Sequence, residues 1–334
     1  MSRQDMLTLL RKAAGAYVSG EQAARQLGLS RTAVWKAVDA LRSDGYAIEA
    51  RTGLGYRLTA APNVLTEAEI RTFLGPTGTV GREILCLDEV DSTNTWAKRL
   101  ALSGASDGTV AAANYQSAGR GRLNRAFQSP RNQGVYLTAL LRPELPPQRL
   151  LPATALCAVA VRRAIQKTTG LQPQIKWAND LVIGGKKLCG ILTEMSLEGE
   201  SGSVQYLVMG IGVNVLQGPE DFSPEVRTMA TSLRMELGAS VSRPELAAAE
   251  IQELDGLYTA LRTGETAQYL EEYRRSCVTL GREVQLLRAD GTREHVRALD
   301  IDEDFGLVVR GDGGREFTVR SGEASVRGMY GYAE

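Results

Sequence analysis

Histidine and cysteine are scarce in this chain, and their scarcity argues against several kinds of site. The 334 residues include one histidine, His295, and four cysteines that stand far apart without a C-x-x-C pair. A zinc site, a disulfide framework and a histidine-based catalytic triad are therefore not expected. The phosphate-binding pattern G-x-x-x-x-G-K-[ST] is also missing, so the sequence does not indicate a P-loop NTPase.

The chain has no net charge and no long apolar run. Lys+Arg and Asp+Glu both number 39, but residues 1–59 carry an excess of basic residues, which the remainder balances. A basic N-terminal part on an otherwise acidic protein indicates nucleic acid at that end only. Because no charged-then-apolar leader is present either, we expect a cytoplasmic protein that does not bind membranes.

Residues 1–62 predict a winged helix-turn-helix domain. Ser19 and Ser30 are suited to cap two short helices and Gly28 to end the first, which places the helix-turn-helix at about 20–39. A hairpin follows as the wing. The polar residues that face away from the apolar stripe are the candidate DNA-binding residues Arg31, Thr32, Lys36 and Arg42. A small protein-interaction module is the alternative, and the sequence leaves open whether Trp35 is a core or a contact residue.

The remaining sequence predicts an α+β protein. In residues 63–276 short apolar strands outnumber strand–helix–strand units, which indicates a mainly antiparallel sheet flanked by helices. Gly184 and Gly185 predict a two-residue hairpin turn, and helices are expected at about 93–102, 150–168 and 243–262. From 277 to 334, short alternating strands between Asp/Gly turns predict a small β-barrel.

The segment YQSAGRGRLNRAF, residues 115–127, concentrates glycine and arginine directly after a predicted strand. Glycines let a backbone approach a ligand, and N–H groups and guanidinium groups converge on phosphate oxygens. A grip on single-stranded nucleic acid and a solvated surface loop are the alternatives. The segment KWAND, residues 176–180, followed by Lys187, favours the phosphate site, because charged residues on a buried strand need partners.

These segments resemble the motifs of the biotin protein ligases, specifically the bifunctional biotin operon repressor type. The matching segments are STN at 92–94, YQSAGRGR at 115–122, KWAND at 176–180, KKLCGIL at 186–192 and GIGVNV at 210–215. With the helix-turn-helix and the barrel, the resemblance covers nearly the whole chain. Asn124, Phe127 and Ala178 depart from the glycine, tryptophan and proline that are usual in the family.

The resemblance implies a class II synthetase-like catalytic domain, an SH3-like C-terminal barrel and a two-step reaction. Biotin and ATP would form biotinyl-5′-AMP with Mg²⁺, and biotin would then pass to a lysine of the biotin carboxyl carrier protein of acetyl-CoA carboxylase. The resemblance also implies repression of biotin biosynthesis genes at operator DNA, with biotinyl-5′-AMP as corepressor and a ligand-promoted homodimer. A lipoate or octanoate ligase, a biotin sensor with an inactive ligase domain and a monofunctional ligase are the alternatives.

The resemblance assigns residues to three roles. The catalytic residues are Arg120, Arg122, Lys187 and Asp180, of which Asp180 is also the proposed Mg²⁺ ligand and the candidate to deprotonate the acceptor lysine. The biotin-binding residues are Ser92, Thr93, Asn94, Gln116, Arg120, Gly121, Arg122 and Lys187. The nucleotide-binding residues are Arg122, Lys176, Trp177, Asn179, Asp180, Lys187 and Asn214.

Overall fold

The computed structural model describes residues 2–199, 201–288, 291–320 and 324–328. They group into two compact units, which lie within Met1–Asn63 and Val64–Glu334. The predicted domain boundaries at residues 62 and 276 stay predictions. The described residues from Val64 onward form a single compact unit, so no separate unit begins at 277. Among the described residues no helix combines the length and the apolar character that crossing a bilayer requires.

The N-terminal unit is a helical cluster with a hairpin. Its elements are α1 (Ser2–Lys12), α2 (Gly20–Leu27), α3 (Arg31–Ser43), β1 (Ala47–Arg51) and β2 (Gly55–Ala60). Ser19 Oγ and Ser30 Oγ accept hydrogen bonds from the backbone of the first turns of α2 and α3, so both predicted caps are confirmed. The predicted apolar face of α3 is buried, namely Val34, Ala37, Val38 and Leu41.

The second unit is built on a mixed sheet. Its described strands are β3 (Ile84–Leu87), β4 (Thr109–Ala113), β5 (Gly134–Leu141), β6 (Gln174–Lys176), β7 (Asp180–Ile183), β8 (Lys186–Leu197) and β9 (Val204–Asn214). They pair in the order β3-β4-β5-β9-β8-β7-β6. Only β3 and β4 run parallel among these described strands, so the predicted antiparallel character holds for the other pairings.

The second unit also contains helices. They are α4 (Glu67–Phe73), α5 (Thr93–Leu102), α6 (Ala153–Thr169), α7 (Pro224–Arg227), α8 (Leu233–Leu237), α9 (Arg243–Thr263) and α10 (Ala267–Ser276), with 3₁₀ turns at Arg122–Asn124, Pro147–Leu150 and Pro219–Asp221. The three predicted helices correspond to α5, α6 and α9. The start of α6 was predicted too early, because a separate 3₁₀ turn occupies Pro147–Leu150. The apolar faces of α6 and α9 belong to the main core.

The glycine pair between β7 and β8 forms the predicted hairpin turn. Gly184 and Gly185 have φ angles of 54° and 73°, a left-handed conformation that side chains disfavour. The turn folds β8 back onto β7 and pairs Val182 with Lys187 across the ladder. The turn therefore places Asp180 and Lys187 on neighbouring strands.

The C-terminal segments predicted as strands form an antiparallel sheet. Its described strands are β10 (Glu283–Arg288), β11 (Arg293–Ile301), β12 (Leu307–Gly311), β13 (Glu316–Val319) and β14 (Ala324–Gly328), in the order β13-β12-β11-β10-β14. The segment after β6 is attached to this region. Trp177 N donates to Thr279 Oγ1 at 3.1 Å, and Trp177 Nε1 donates to Phe305 O at 3.2 Å.

Candidate functional site

A cavity of about 440 Å³, partly open to solvent, lies between the start of α5, residues 115–127, which we call the glycine–arginine loop, and strands β8 and β9. We call it the small pocket. The structure brings all the residues assigned to biotin to its lining: Ser92, Thr93, Asn94, Gln116, Arg120, Gly121, Arg122 and Lys187. Segments far apart in sequence thus meet around one cavity.

Hydrogen bonds between buried side chains fix the floor of the small pocket. Gln116 Oε1 accepts from Thr93 N at 2.8 Å and from Thr93 Oγ1 at 3.1 Å, while Gln116 Nε2 donates to Ser129 Oγ at 2.8 Å. Thr138 Oγ1 on β5 lies 2.9 Å from Thr93 Oγ1. Because each group orients the next, the polar atoms are in place before a ligand arrives.

Asn94 is held by protein groups on both sides of its amide. Its Nδ2 donates to Leu192 O at 3.0 Å and to Glu194 Oε2 at 2.9 Å, and its Oδ1 accepts from Thr138 Oγ1 at 2.8 Å. Burial alone would raise the pKa of Glu194, but hydrogen bonds from Lys98 and Asn94 outweigh it and lower the pKa. Asn94 therefore joins α5 to the edge of the pocket on β8.

A second cavity, of about 1200 Å³ and also partly open, adjoins the first. We call it the large pocket. All the residues assigned to the nucleotide line it: Arg122, Lys176, Trp177, Asn179, Asp180, Lys187 and Asn214. The two pockets share Gly121, Arg122, Phe127, Asn179 and Lys187, a set that we call the shared wall.

Charged and amide groups interlock on the shared wall. Lys187 Nζ lies 2.8 Å from Asp180 Oδ1, and Arg122 Nη1 donates to Asn179 Oδ1 at 3.1 Å. Asn179 Nδ2 in turn donates to Ile191 O at 3.0 Å, which ties the loop arginine to β8. Burial lowers the pKa of Arg122, an effect that Asp180 opposes, and a guanidinium remains charged at neutral pH. Cations therefore stand where the pockets meet.

Strands β6, β7 and β9 supply buried polar side chains to the large pocket. Lys176, Asp180 and Asn214 are 5 %, 9 % and 4 % exposed. Asn214 Nδ2 donates to Thr231 O at 3.0 Å, and Asn214 Oδ1 accepts from Gln217 Nε2 at 3.2 Å. Such groups are costly to bury, which explains why they occur beside a cavity and not within the apolar core.

Known proteins share this arrangement. Residues 87–214 match the Biotin/lipoate A/B protein ligase family, and residues 2–57 match a helix-turn-helix domain. The bifunctional ligase/repressor BirA of Bacillus subtilis is 42 % identical over 241 residues, 72 % of this chain and 73 % of that protein. Its namesake from Escherichia coli is 29 % identical over 315 residues, 92 % of this chain and 95 % of that protein.

The chain belongs to the biotin protein ligase family. A solved structure of the same fold agrees: the biotin protein ligase from Aquifex aeolicus in complex with biotin and ATP superposes with a TM-score of 0.63 at 27 % identity. The match covers 74 % of this chain and 99 % of that one. The resemblance inferred from the five motifs is therefore confirmed.

Sequence reasoning missed several residues of this ligase's site. Phe127, noted only as a departure, lines both pockets, and a Cβ added to Gly212 would lie 2.5 Å from its ring. Thr138 and Ser129 hold the pocket floor without being in a motif. A threonine inside the apolar strand VYLTALL was the available signal for Thr138, because a buried hydroxyl needs a partner.

The two other departures from the family pattern are Ala178 and Asn124. Ala178 follows Trp177 through a cis peptide bond. The side chain of Asn124 lies outside the described part of the chain.

On the N-terminal unit of the ligase, Arg31, Thr32 and Lys36 are exposed on α3. Arg31 forms an ion pair of 3.1 Å with Glu21 of α2. Arg42 differs from the other candidates, since its Nε and Nη2 donate to Ile48 O at 3.0 and 2.7 Å and join α3 to β1. A DNA-binding role for these four residues stays a prediction.

Proposed function

We propose that this protein activates biotin with ATP to biotinyl-5′-AMP and transfers biotin to a lysine of the biotin carboxyl carrier protein of acetyl-CoA carboxylase. The observation that carries the proposal is the shared wall, where a small polar pocket and a large cationic one meet. A reaction that joins a carboxylate to a phosphate is favoured by two adjacent sites with positive charge at their junction.

Biotin occupies the small pocket in this proposal. The ureido ring faces Ser92, Thr93 and Gln116, whose hydrogen-bonding groups are already oriented, and the carboxylate points toward the shared wall. Glycines of the loop let the backbone at Gly121 and the guanidinium of Arg122 approach the ligand closely. Support comes from the position of these residues around one cavity.

ATP occupies the large pocket. A carboxylate oxygen of biotin attacks the α-phosphorus, the bond to the bridging oxygen breaks, and pyrophosphate leaves. The nucleophile is already ionised, so this step needs positioning and charge neutralisation, which we assign to Arg120, Arg122 and Lys187.

Asp180 provides the one carboxylate that this site needs for a magnesium ion. Mg²⁺ commonly takes one or two carboxylates plus the substrate's phosphates, and Asp180 lines the large pocket next to Lys187. The residues therefore fit a bound Mg²⁺, which would add neutralising charge at the phosphates.

In the second step the ammonium group of the carrier lysine first loses a proton. The neutral amine then attacks the acyl carbon, and AMP leaves. A lysine starts with a pKa of about 10.4, so a nearby proton acceptor helps. Asp180 is our candidate for that role because it lies within the large pocket, beside the junction.

The direct test combines the purified protein with ATP, a carrier domain and either biotin, lipoate or octanoate, and follows the carrier's mass. We expect an increase equal to one biotinyl group, which is biotin less one water, and none with the other acids. Labelling by lipoate or octanoate alone would establish the rival ligase activity. An unlabelled carrier in all three reactions would leave a sensor with an inactive ligase domain.

We further propose that the N-terminal unit binds operator DNA of biotin biosynthesis genes as a homodimer, with biotinyl-5′-AMP as corepressor. A single recognition helix buries too little surface for tight specific binding, which favours two half-sites. Ligand that orders loops of the catalytic unit would lower the entropy cost of pairing.

Sedimentation and operator gel shifts, with and without biotin plus ATP, test this second function. Substituting both Arg31 and Lys36 by alanine should weaken DNA binding and flatten its salt dependence by about one unit of slope per lost phosphate contact. Biotin transfer should be unaffected. If the wild type binds no inverted repeat under any ligand condition, a monofunctional ligase is the better description.

We also propose that β10–β14 close into the SH3-like barrel expected of the family and that the mixed sheet is the class II synthetase-like core. The antiparallel strand order, with β10 between β11 and β14, supports such closure.

A further inference from the structure

Trp35 is an unusual residue on the surface of the N-terminal unit. It is 52 % exposed, more than any other aromatic side chain among the described residues. Isolated apolar residues are common on protein surfaces, so exposure alone has little meaning. The position of Trp35 on α3 makes it informative.

The indole lies on the face of α3 that bears the candidate phosphate contacts. Arg31 and Thr32, four and three residues before Trp35, are its neighbours on the helix surface, and Lys36 lies beside Thr32 in the same way. These three residues are exposed, as is Asp39 four residues after Trp35, whereas the opposite face of α3 is buried. The side chain thus stands within a polar row that Arg31, Thr32 and Lys36 form and Asp39 follows, and not on an apolar patch.

This row occupies the first half of the second helix of a helix-turn-helix, the part that enters the major groove in such proteins. Arginine and lysine at the edges of the row suit phosphates, which fix register without reading sequence. A large apolar ring between them suits the one apolar group that the major groove displays, the C5-methyl of thymine.

We infer that Trp35 is a specificity-determining residue that packs on a thymine methyl group of each half-site. The inference rests on the proposed operator binding and adds to it the kind of base pair that is read. Arg31 and Lys36 then supply affinity that is independent of sequence, and Trp35 supplies discrimination.

Full-length protein with biotin and ATP would first select a duplex from a random-sequence library, since the operator sequence is unknown. In that duplex each thymine is then replaced, one at a time, by uracil, which pairs identically but lacks the methyl group. For wild type we expect one thymine per half-site whose replacement weakens binding about fourfold, the effect of one buried methyl group. Trp35→Ala should bind the parent duplex several-fold more weakly and be indifferent to that replacement.

Three controls separate this role from others. Trp35→Phe should retain sensitivity to the same uracil. Lys36→Ala should retain it as well, while lowering the salt slope by about one, whereas Trp35→Ala leaves the slope unchanged. Biotin transfer and the melting temperature of Trp35→Ala should match wild type, which shows that the variant is folded.

The inference is overturned if Trp35→Ala binds the parent duplex like wild type, or if it keeps the wild-type response to every uracil. It is also overturned if the variant loses self-association at equal ligand, since Trp35 would then cover a second copy. A wild type that selects no duplex removes the proposed repressor function together with the inference, whereas indifference to uracil removes the inference alone.

Discussion

The small and the large pocket share a wall but are built on different principles. The floor of the small pocket consists of neutral side chains that hydrogen-bond to one another, such as Thr93, Gln116 and Thr138, and its cations lie at the loop and the shared wall. The large pocket relies on charged groups, with Lys187 and Asp180 2.8 Å apart. A pre-formed neutral network selects a ligand by shape and hydrogen bonding, whereas preorganised charged groups stabilise negative charge that develops beside them.

The comparison implies that changes in the large pocket should alter rate most and changes in the small pocket should alter affinity for biotin. Lys187→Ala is the strongest test. Loss of one preorganised charge at a phosphoryl site typically costs ~10²–10³ in rate, so we expect that loss in pyrophosphate release at saturating biotin and ATP.

Lys186→Ala is the matched control, because Lys186 is the exposed neighbour on the same strand and lines neither pocket. It should release pyrophosphate at the wild-type rate and melt near the wild-type temperature. Lys187→Ala should melt at a lower temperature, because it removes the ion pair to the buried carboxylate of Asp180. Wild-type activity in Lys187→Ala would remove the charged role that we assign to the large pocket.

Arg122→Gly tests the shared wall. Arg122 Nη1 donates to Asn179 Oδ1 at 3.1 Å, and this bond fastens the glycine-rich loop to the sheet. A hydrogen bond to a charged group contributes about 1.5–3 kcal/mol, so we expect biotinyl-5′-AMP to escape about 10- to 150-fold faster. The released mixed anhydride should label an unrelated lysine-rich protein.

The readout for Arg122→Gly is biotin on that bystander protein, compared with Arg125→Gly from the same loop. Arg125 is exposed and more distant from the small pocket, so its variant should leak less. Background labelling by Arg122→Gly, at a normal yield of adenylate, would show that this arginine does not retain the intermediate.

Sequence reasoning reached the charged half of the site more readily than the neutral half. Arg122, Lys187 and Asp180 stand in motifs whose charge demands a partner, and the structure places them on the two pockets. Thr138 and Ser129 belong to no motif, and their importance depends on strand pairing that local sequence does not determine.

Local sequence likewise predicted only some of the helices. Helix α9 was predicted closely because its cap and apolar period are local signals, whereas α4 and α10 were missed. Helix α4 begins at Thr66, whose side chain accepts from Glu69 N, so a local capping signal was overlooked, whereas α10 begins at Thr266 without a side-chain cap.

Gly210→Ala tests the small pocket. A Cβ at this position on β9 would lie 1.8 Å from Asn94 Oδ1, so the Asn94 amide must move and its bonds to Thr138 and β8 must weaken. Overpacking of this kind costs about 1–3 kcal/mol. Since Asn94 borders the small pocket, we expect the KM for biotin to rise about fivefold, with a smaller change in kcat.

Initial rates of pyrophosphate release against biotin concentration measure that effect. Gly199→Ala is the control, because Gly199 has a negative φ and an added Cβ there meets no atom within 4 Å. An unchanged KM for biotin with a tenfold lower kcat would contradict the division of roles between the pockets.

Glu250 on α9 shows what becomes of a polar group that lacks the partners found in the small pocket. It is fully buried, and neither carboxyl oxygen has a hydrogen-bond partner. Burial raises its pKa well above the ordinary value of 4.5, so the folded protein holds a proton that the unfolded chain releases. The protonated group's contribution is complete below about pH 4.5 and is lost as pH rises toward the folded pKa, which makes Glu250 destabilising at neutral pH.

Glu250→Met should therefore raise the free energy of unfolding by about 1–3 kcal/mol at pH 7.5 and less at pH 5, as measured by urea unfolding at both values. Glu271→Met, at an exposed site on α10, should show neither effect. A destabilised Glu250→Met would mean that the core has a use for this carboxyl group.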